Sequence, residues 1–191
     1  MLNSLIQKST DYLISHNIIE ADDRDIYEYG FHSLYSNIII FSVIGLTSIM
    51  IRQFPQTVIY HIAFILMRNN AGGYHAKTQL RCFFMSTIIW LLSLWMITNV
   101  SSTLASICFA LFSTILIWAK APIEHENNPM NEKKYIRMKI RSRIISAILF
   151  LIVVILCLLP MSYMWIAVSL SIGMFTHSML FIAALFKLNA M

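Results

Sequence analysis

Charge is the scarcest property of this sequence. Asp, Glu, Lys and Arg make up 12% of its 191 residues, while 58% are hydrophobic and the mean hydropathy is +0.70. A soluble core cannot hide that proportion of apolar surface, so a soluble globular protein is excluded. Glycine and proline are sparse too, at five and four residues, and the apolar runs are far longer than strands need. That excludes a barrel and leaves α-helices to satisfy the backbone polar groups in lipid. The three cysteines, Cys82, Cys108 and Cys157, show no pairing pattern. Cys108 and Cys157 lie inside apolar runs, where a thiol acts as a small hydrophobe. No CxxC, HxxxH or clustered ligand set is present, so no metal site or cofactor is expected. No glycine-rich phosphate loop follows a strand and the basic residues flank apolar segments, which leaves no support for nucleic-acid or nucleotide binding. Met1 to Glu20 is too polar for a secretory signal and has no small-residue cleavage pattern, so its removal is not expected.

What the chain does contain is six apolar segments, at roughly 34–51, 54–67, 83–100, 103–119, 144–159 and 163–186. The expected fold is all-α: one polytopic membrane bundle over 1–191, with about six transmembrane helices after an N-terminal amphipathic helix. In residues 2–19, Leu2, Leu5, Ile6, Ser9, Leu13 and Ile14 share one helical face, opposite Asn3, Lys8, Asp11 and Ser15. Such a helix either lies in the membrane interface or packs on the bundle. The acidic stretch Glu20 to Glu28 completes a non-spanning segment, 1–30. The segment 54–67 reaches only about 21 Å at 1.5 Å per residue, so it is tilted, re-entrant or extended by its polar flank. His177 is intramembrane and should face the interior, for function or for packing.

An even number of spans puts every one of the 14 basic residues except Arg52 on a single side. By the positive-inside rule that side is cytoplasmic, and it holds both termini, the loop 68–82 and the basic loop 120–143. A re-entrant second segment would change this parity.

The loop 68–82 carries the chemistry. It reads Arg68-Asn69-Asn70-Ala71-Gly72-Gly73-Tyr74-His75-Ala76-Lys77-Thr78-Gln79-Leu80-Arg81-Cys82 and sets a base and a nucleophile beside the membrane. A thiolate attacks, and a histidine accepts its proton or holds it as an ion pair, so His75 and Cys82 suffice for peptide-bond cleavage. On an unbroken helix they would share a face about 10 Å apart, beyond the roughly 3 Å that proton transfer requires. Chemistry therefore needs a break. Gly72-Gly73 permits one, and Thr78 is a candidate N-cap for a helix whose early turns carry Cys82. The positive end of that helix, with Lys77 and Arg81, would favour the thiolate.

The run Arg68-x-x-Ala71-Gly72-Gly73-Tyr74-His75-Ala76, with Cys82 seven residues after the histidine, resembles the accessory gene regulator protein B family of Gram-positive quorum-sensing endopeptidases. Ala121-Pro122-Ile123-Glu124, then Asn127-x-Pro129 and a Lys/Arg-rich segment, resembles the loop after that family's fourth span. The resemblance covers nearly the whole chain. It implies that Cys82 attacks an AgrD-like signal-peptide precursor with His75 as base and then acid. The C-terminal portion leaves, and the remaining acyl-enzyme thioester is intercepted by an internal cysteine or serine to close a thiolactone or lactone. It also implies a multi-pass protein of the bacterial cell membrane, in contact with lipid and capable of homodimerising; Gly173 is a candidate interface residue.

Supporting roles stay open between two readings each. Gly72 and Gly73 shape the loop or offer amides to an oxyanion, and Arg68 stabilises that charge or anchors its span in headgroups. Glu124 orients His75 or caps a helix after Pro122. Lys133, Lys134, Arg137, Lys139, Arg141 and Arg143 attract an acidic peptide segment or mark topology and bind anionic lipid. The rival from another class is a peptide transporter or exporter component without proteolytic activity, in which Arg68, His75 and His177 would line a path.

Overall fold

The computed structural model describes residues 2–73, 79–123 and 131–189, except for the side chains of Leu2, Gln79, Leu80, Cys82 and residues 187–189. Within them the chain forms seven α-helices and no strand: α1 (Leu2–Ser15), α2 (Arg24–Met50), α3 (Phe54–Ala71), α4 (Gln79–Asn99), α5 (Thr103–Lys120), α6 (Glu132–Leu158) and α7 (Met164–Asn189). The six expected segments each became one helix. Among the described residues four of these, α2, α5, α6 and α7, are long and apolar enough to cross a membrane, against the six or so expected. The second segment is extended by its polar flank, because α3 continues through Arg68 to Ala71 and so reaches 18 residues, about 27 Å. The described apolar part of α4 is Phe83–Asn99.

Local chemistry sets the ends. Pro55 stands in the first turn of α3, where its missing N–H costs nothing. Ser102 Oγ accepts from Ala105 N at 3.3 Å and Asn131 Oδ1 from Lys134 N at 2.8 Å, capping α5 and α6. Pro160 follows the end of α6.

The bundle is built around α7. Of its apolar window 67% is buried inside the protein, against 17–22% for α2, α5 and α6, so α7 is the core and the others turn most of their surface outward. One apolar cluster joins α3, α5, α6 and α7 through Met67, Ile117, Val153, Met174 and Phe181. A second joins α2, α3, α4 and α7 through Ile44, Tyr60, Trp90, Val168 and Ile172. Buried hydroxyls satisfy themselves on their own helices: Ser113 bonds Phe109 O at 2.7 Å, Ser169 bonds Trp165 O at 2.7 Å and Ser178 bonds Met174 O at 3.0 Å. Ser93 bonds Ile89 O on its own helix at 2.8 Å and also lies 3.0 Å from the Thr176 hydroxyl and 3.2 Å from that of Tyr60, tying α4 to α7 and α3.

Gly173 is buried in this core. A Cβ on it would meet Tyr60 O at 2.6 Å, so its use is the close approach of α7 to α3 within one chain, not an open face for a second copy. At the other end α1 folds back on α2. Ile6 and Thr10 are buried, Ser9 and Tyr35 hydroxyls meet at 2.7 Å, and Arg24 pairs with Asp11 at 2.7 Å and Glu28 at 2.9 Å. The amphipathic helix therefore packs on α2, while Leu5 and Tyr12 stay exposed.

Candidate active site

Three chain segments meet at one end of α3. That helix stops at Gly72, whose φ of 81° is a conformation side chains resist, and Gly73 follows at φ 156°. The Ala121–Ile123 segment lies against this turn: Ile123 N donates to Ala71 O at 3.1 Å, and a Cβ on Gly72 would come within 3.0 Å of Ile123 O. The Ala121-Pro122 bond is cis. The two loops singled out by their motifs, about 50 residues apart, are thus in direct contact.

From the third side comes His177 of α7. It has no exposed surface, and its Nε2 lies 2.9 Å from Gly72 O. A carbonyl only accepts, so Nε2 carries the hydrogen and donates; Nδ1, buried and without a partner among the described residues, is the bare nitrogen. Phe64 and Phe181 flank the ring, with centroids 6.1 and 6.0 Å away. Sequence reasoning put His177 in the bundle interior but could not supply its partner.

Arg68 stands in the last turn of α3, where a cation suits the helix dipole. Its guanidinium carbon is 6.0 Å from the Phe64 ring centroid, and Nη1 would be 3.7 Å from a Cβ on Gly73. The side chain therefore sits beside the turn. His75 and Glu124 lie outside the described residues, as does the Cys82 side chain. The backbone makes Cys82 the fourth residue of α4. Among the described residues no group of three or more His, Cys, Asp or Glu comes together that could hold a metal.

The basic residues expected in a loop are helical instead. Lys133, Lys134, Arg137, Lys139, Arg141 and Arg143 all belong to α6, which begins at Glu132. The reason is the Asn131 cap and a run free of glycine and proline from Glu132 to Leu158. Lys133, Lys134, Arg137 and Arg141 are exposed. Lys139 Nζ rests 5.9 Å from the Tyr135 ring centroid. Arg143 is committed to packing: Nη2 donates to Trp118 O at 2.8 Å while Trp118 Nε1 donates to Arg143 O at 3.2 Å.

Beside the turn, α2 meets α3 and α4 along sparse seams. They leave a cavity of about 380 Å³, walled by Ile40, Ile44, Phe64, Met85, Ile89 and Trp90, with Arg68, Asn69 and Ser86 among its polar lining.

The family model described as Accessory gene regulator B matches residues 6–185. The chain is similar to accessory gene regulator protein B of Staphylococcus intermedius, 26% identical over 117 residues, which are 61% of each chain. It is 30% identical over 122 residues to the protein of that name from Staphylococcus saprophyticus, covering 63% of this chain and 62% of that one. Against the Staphylococcus aureus protein (strain bovine RF122) it is 24% identical over 157 residues, 81% of each. The chain thus spans 61% and 62% of the length of the first two relatives. No solved structure matches it.

Proposed function

This chain belongs to the accessory gene regulator B family, and from that premise we propose that it is a membrane cysteine endopeptidase that processes a quorum-sensing signal-peptide precursor. The observation that carries the reading is the junction of the Gly72–Gly73 turn with the Ala121–Ile123 segment, one short connection away from the helix start that holds Cys82. Cys82 is the nucleophile and His75 its base. Position 82 falls in the first turns of α4, where unpaired amide N–H groups and the helix dipole favour a thiolate.

In this reading the Cys82 thiolate attacks the scissile carbonyl, the C–S bond forms, and the C–N bond breaks as His75 returns the proton to the leaving amine. The N-terminal portion of an AgrD-like precursor is left as a thioester. An internal thiol or hydroxyl of the peptide then displaces Cys82, because an intramolecular nucleophile has a high effective concentration. Arg68, beside Gly73, is the cation that would stabilise the oxyanion, with the backbone amide of Gly73 as companion donor; the Gly72 amide already donates to Arg68 O at 3.1 Å and shapes the turn instead. Glu124 follows Ile123, which abuts Gly72, and that placement supports a role in orienting His75. The exposed cations of α6 would draw in the acidic C-terminal portion of the precursor.

The test is co-expression with a candidate precursor, comparing the unaltered protein with Cys82→Ala and His75→Ala by gel shift and mass spectrometry. Cleavage and a Cys82-linked acyl species are expected only with the intact pair. Cleavage that survives Cys82→Ala would sink the protease and return weight to a peptide exporter.

A further inference from the structure

The cavity beside the turn lies between α2, α3 and α4 and is lined by apolar and polar side chains together. Its 380 Å³ falls within the range of small-ligand sites, and its composition matches theirs: apolar and aromatic walls with a few polar groups. Tyr60 and Trp90 at its base are buried and held by hydrogen-bonding groups, Tyr60 near Ser93 and Trp90 by Thr57 at 3.3 Å, so the floor is rigid. Its position is as informative as its size. Arg68 links the cavity to Gly73. On α4 the lining begins at Met85 and Ser86, three and four residues after Cys82 and so one turn along the helix.

We propose that this cavity is the subsite for the side chain of the precursor residue whose carbonyl Cys82 acylates, and that it selects a bulky apolar or aromatic side chain there. The assignment rests on the endopeptidase reading above. A peptide bound in this way places its scissile carbonyl at the first turns of α4, near Arg68, while its side chain fills the space between α2, α3 and α4. An acidic side chain would shed its water against Ile44, Phe64 and Ile89 and compete with the oxyanion for Arg68, while a basic one would meet the like charge of Arg68, so both are disfavoured.

The experiment uses the full-length protein in bacterial membranes and a panel of peptides with an internal cysteine, an acidic C-terminal portion and Phe, Leu, Ala or Asp before the cut. Unaltered protein should cleave in the order Phe and Leu above Ala above Asp. Met85→Trp fills the cavity and should lower the Phe-to-Ala ratio of kcat/KM by about tenfold, on the scale of pocket discrimination in enzymes. Met85→Ala enlarges it and should shift preference toward a Trp-bearing peptide, which keeps the question answerable if the filled variant does not fold. Cys82-dependent cleavage with a ratio unmoved by either variant would overturn the subsite and leave the protease standing. A phospholipid that co-purifies with the unaltered protein, is lost in Met85→Trp and leaves the ratio unchanged would assign the cavity to lipid and overturn it as well. Cleavage that persists in Cys82→Ala removes the premise and the subsite together.

Discussion

The carbonyl of Gly72 shows how much one hydrogen bond decides here. Its donor, His177 Nε2 at 2.9 Å, comes from 105 residues away and fixes the turn from inside the bundle. His177→Leu keeps the bulk and removes the donor, leaving a part-buried carbonyl unsatisfied at about 1–3 kcal/mol. His177→Gln can place its amide nitrogen near the same spot. Peptide-cleavage rates in membranes should therefore fall about tenfold or more in the leucine variant and recover largely in the glutamine variant; equal loss in both would show that only the ring's packing matters. Gly72→Ala tests the other side of the turn. At φ 81° with Ile123 O already 3.0 Å from the new Cβ, the variant should lower the melting temperature in detergent, at a cost of about 1–3 kcal/mol. The glycine pair was legible in the sequence as a break, because glycine is the residue that accepts such backbone angles. The identity of its partners was not, since hydrogen bonds from Ile123 and His177 leave no periodic trace along the chain.

At the scale of the element, α6 is an oddity. Its first turn carries Lys133 and Lys134 where the helix dipole favours anions, at roughly a few tenths of a kcal/mol for each exposed charge, and Arg137, Lys139 and Arg141 extend the cluster over the next two turns. A cluster kept in that place serves something other than helix stability. Replacing Lys133, Lys134 and Arg137 by Gln should leave folding unharmed and raise KM for peptides with acidic tails, with an effect that fades at high salt. An unchanged KM would move the cluster to lipid headgroups or topology. Arg143→Ala should behave differently, loosening α5 from α6 and lowering thermal stability by about 1–2 kcal/mol, because its guanidinium bonds the Trp118 carbonyl. Charge counting alone could not separate Arg143 from its neighbours, and the polar run 120–143 reads as a loop until the Asn131 cap is seen in place. The helices themselves were plain from their apolar runs; the extension of α3 by its polar flank was one of three readings left open, because Arg68-Asn69-Asn70 has the composition of a connector.

For the whole molecule, composition alone established the class, and the chain is a helical bundle with several helices fit for a bilayer. The orientation expected from the basic residues is testable with reporters: fusions at the N-terminus and within 124–130 should report the same, cytoplasmic side, and opposite sides would reverse the parity argument. The centre of the bundle could not be read from the chain. Segments that face lipid and segments that face protein are both apolar, so hydropathy does not distinguish the buried α7 from α5 or α6. The clues that do exist are small or polar residues inside the seventh helix, Ser169, Ser171, Gly173, Thr176, His177 and Ser178, which lipid would not welcome.

Because α7 is the hub, the order of synthesis sets an order of assembly. The ribosome delivers α2 to α6 before the helix that most of them pack against, and until it arrives the turn at Gly72 lacks its clamp. A newborn chain would thus wait in the bilayer as loosely associated spans and would reach its working arrangement only when α7 threads into the middle.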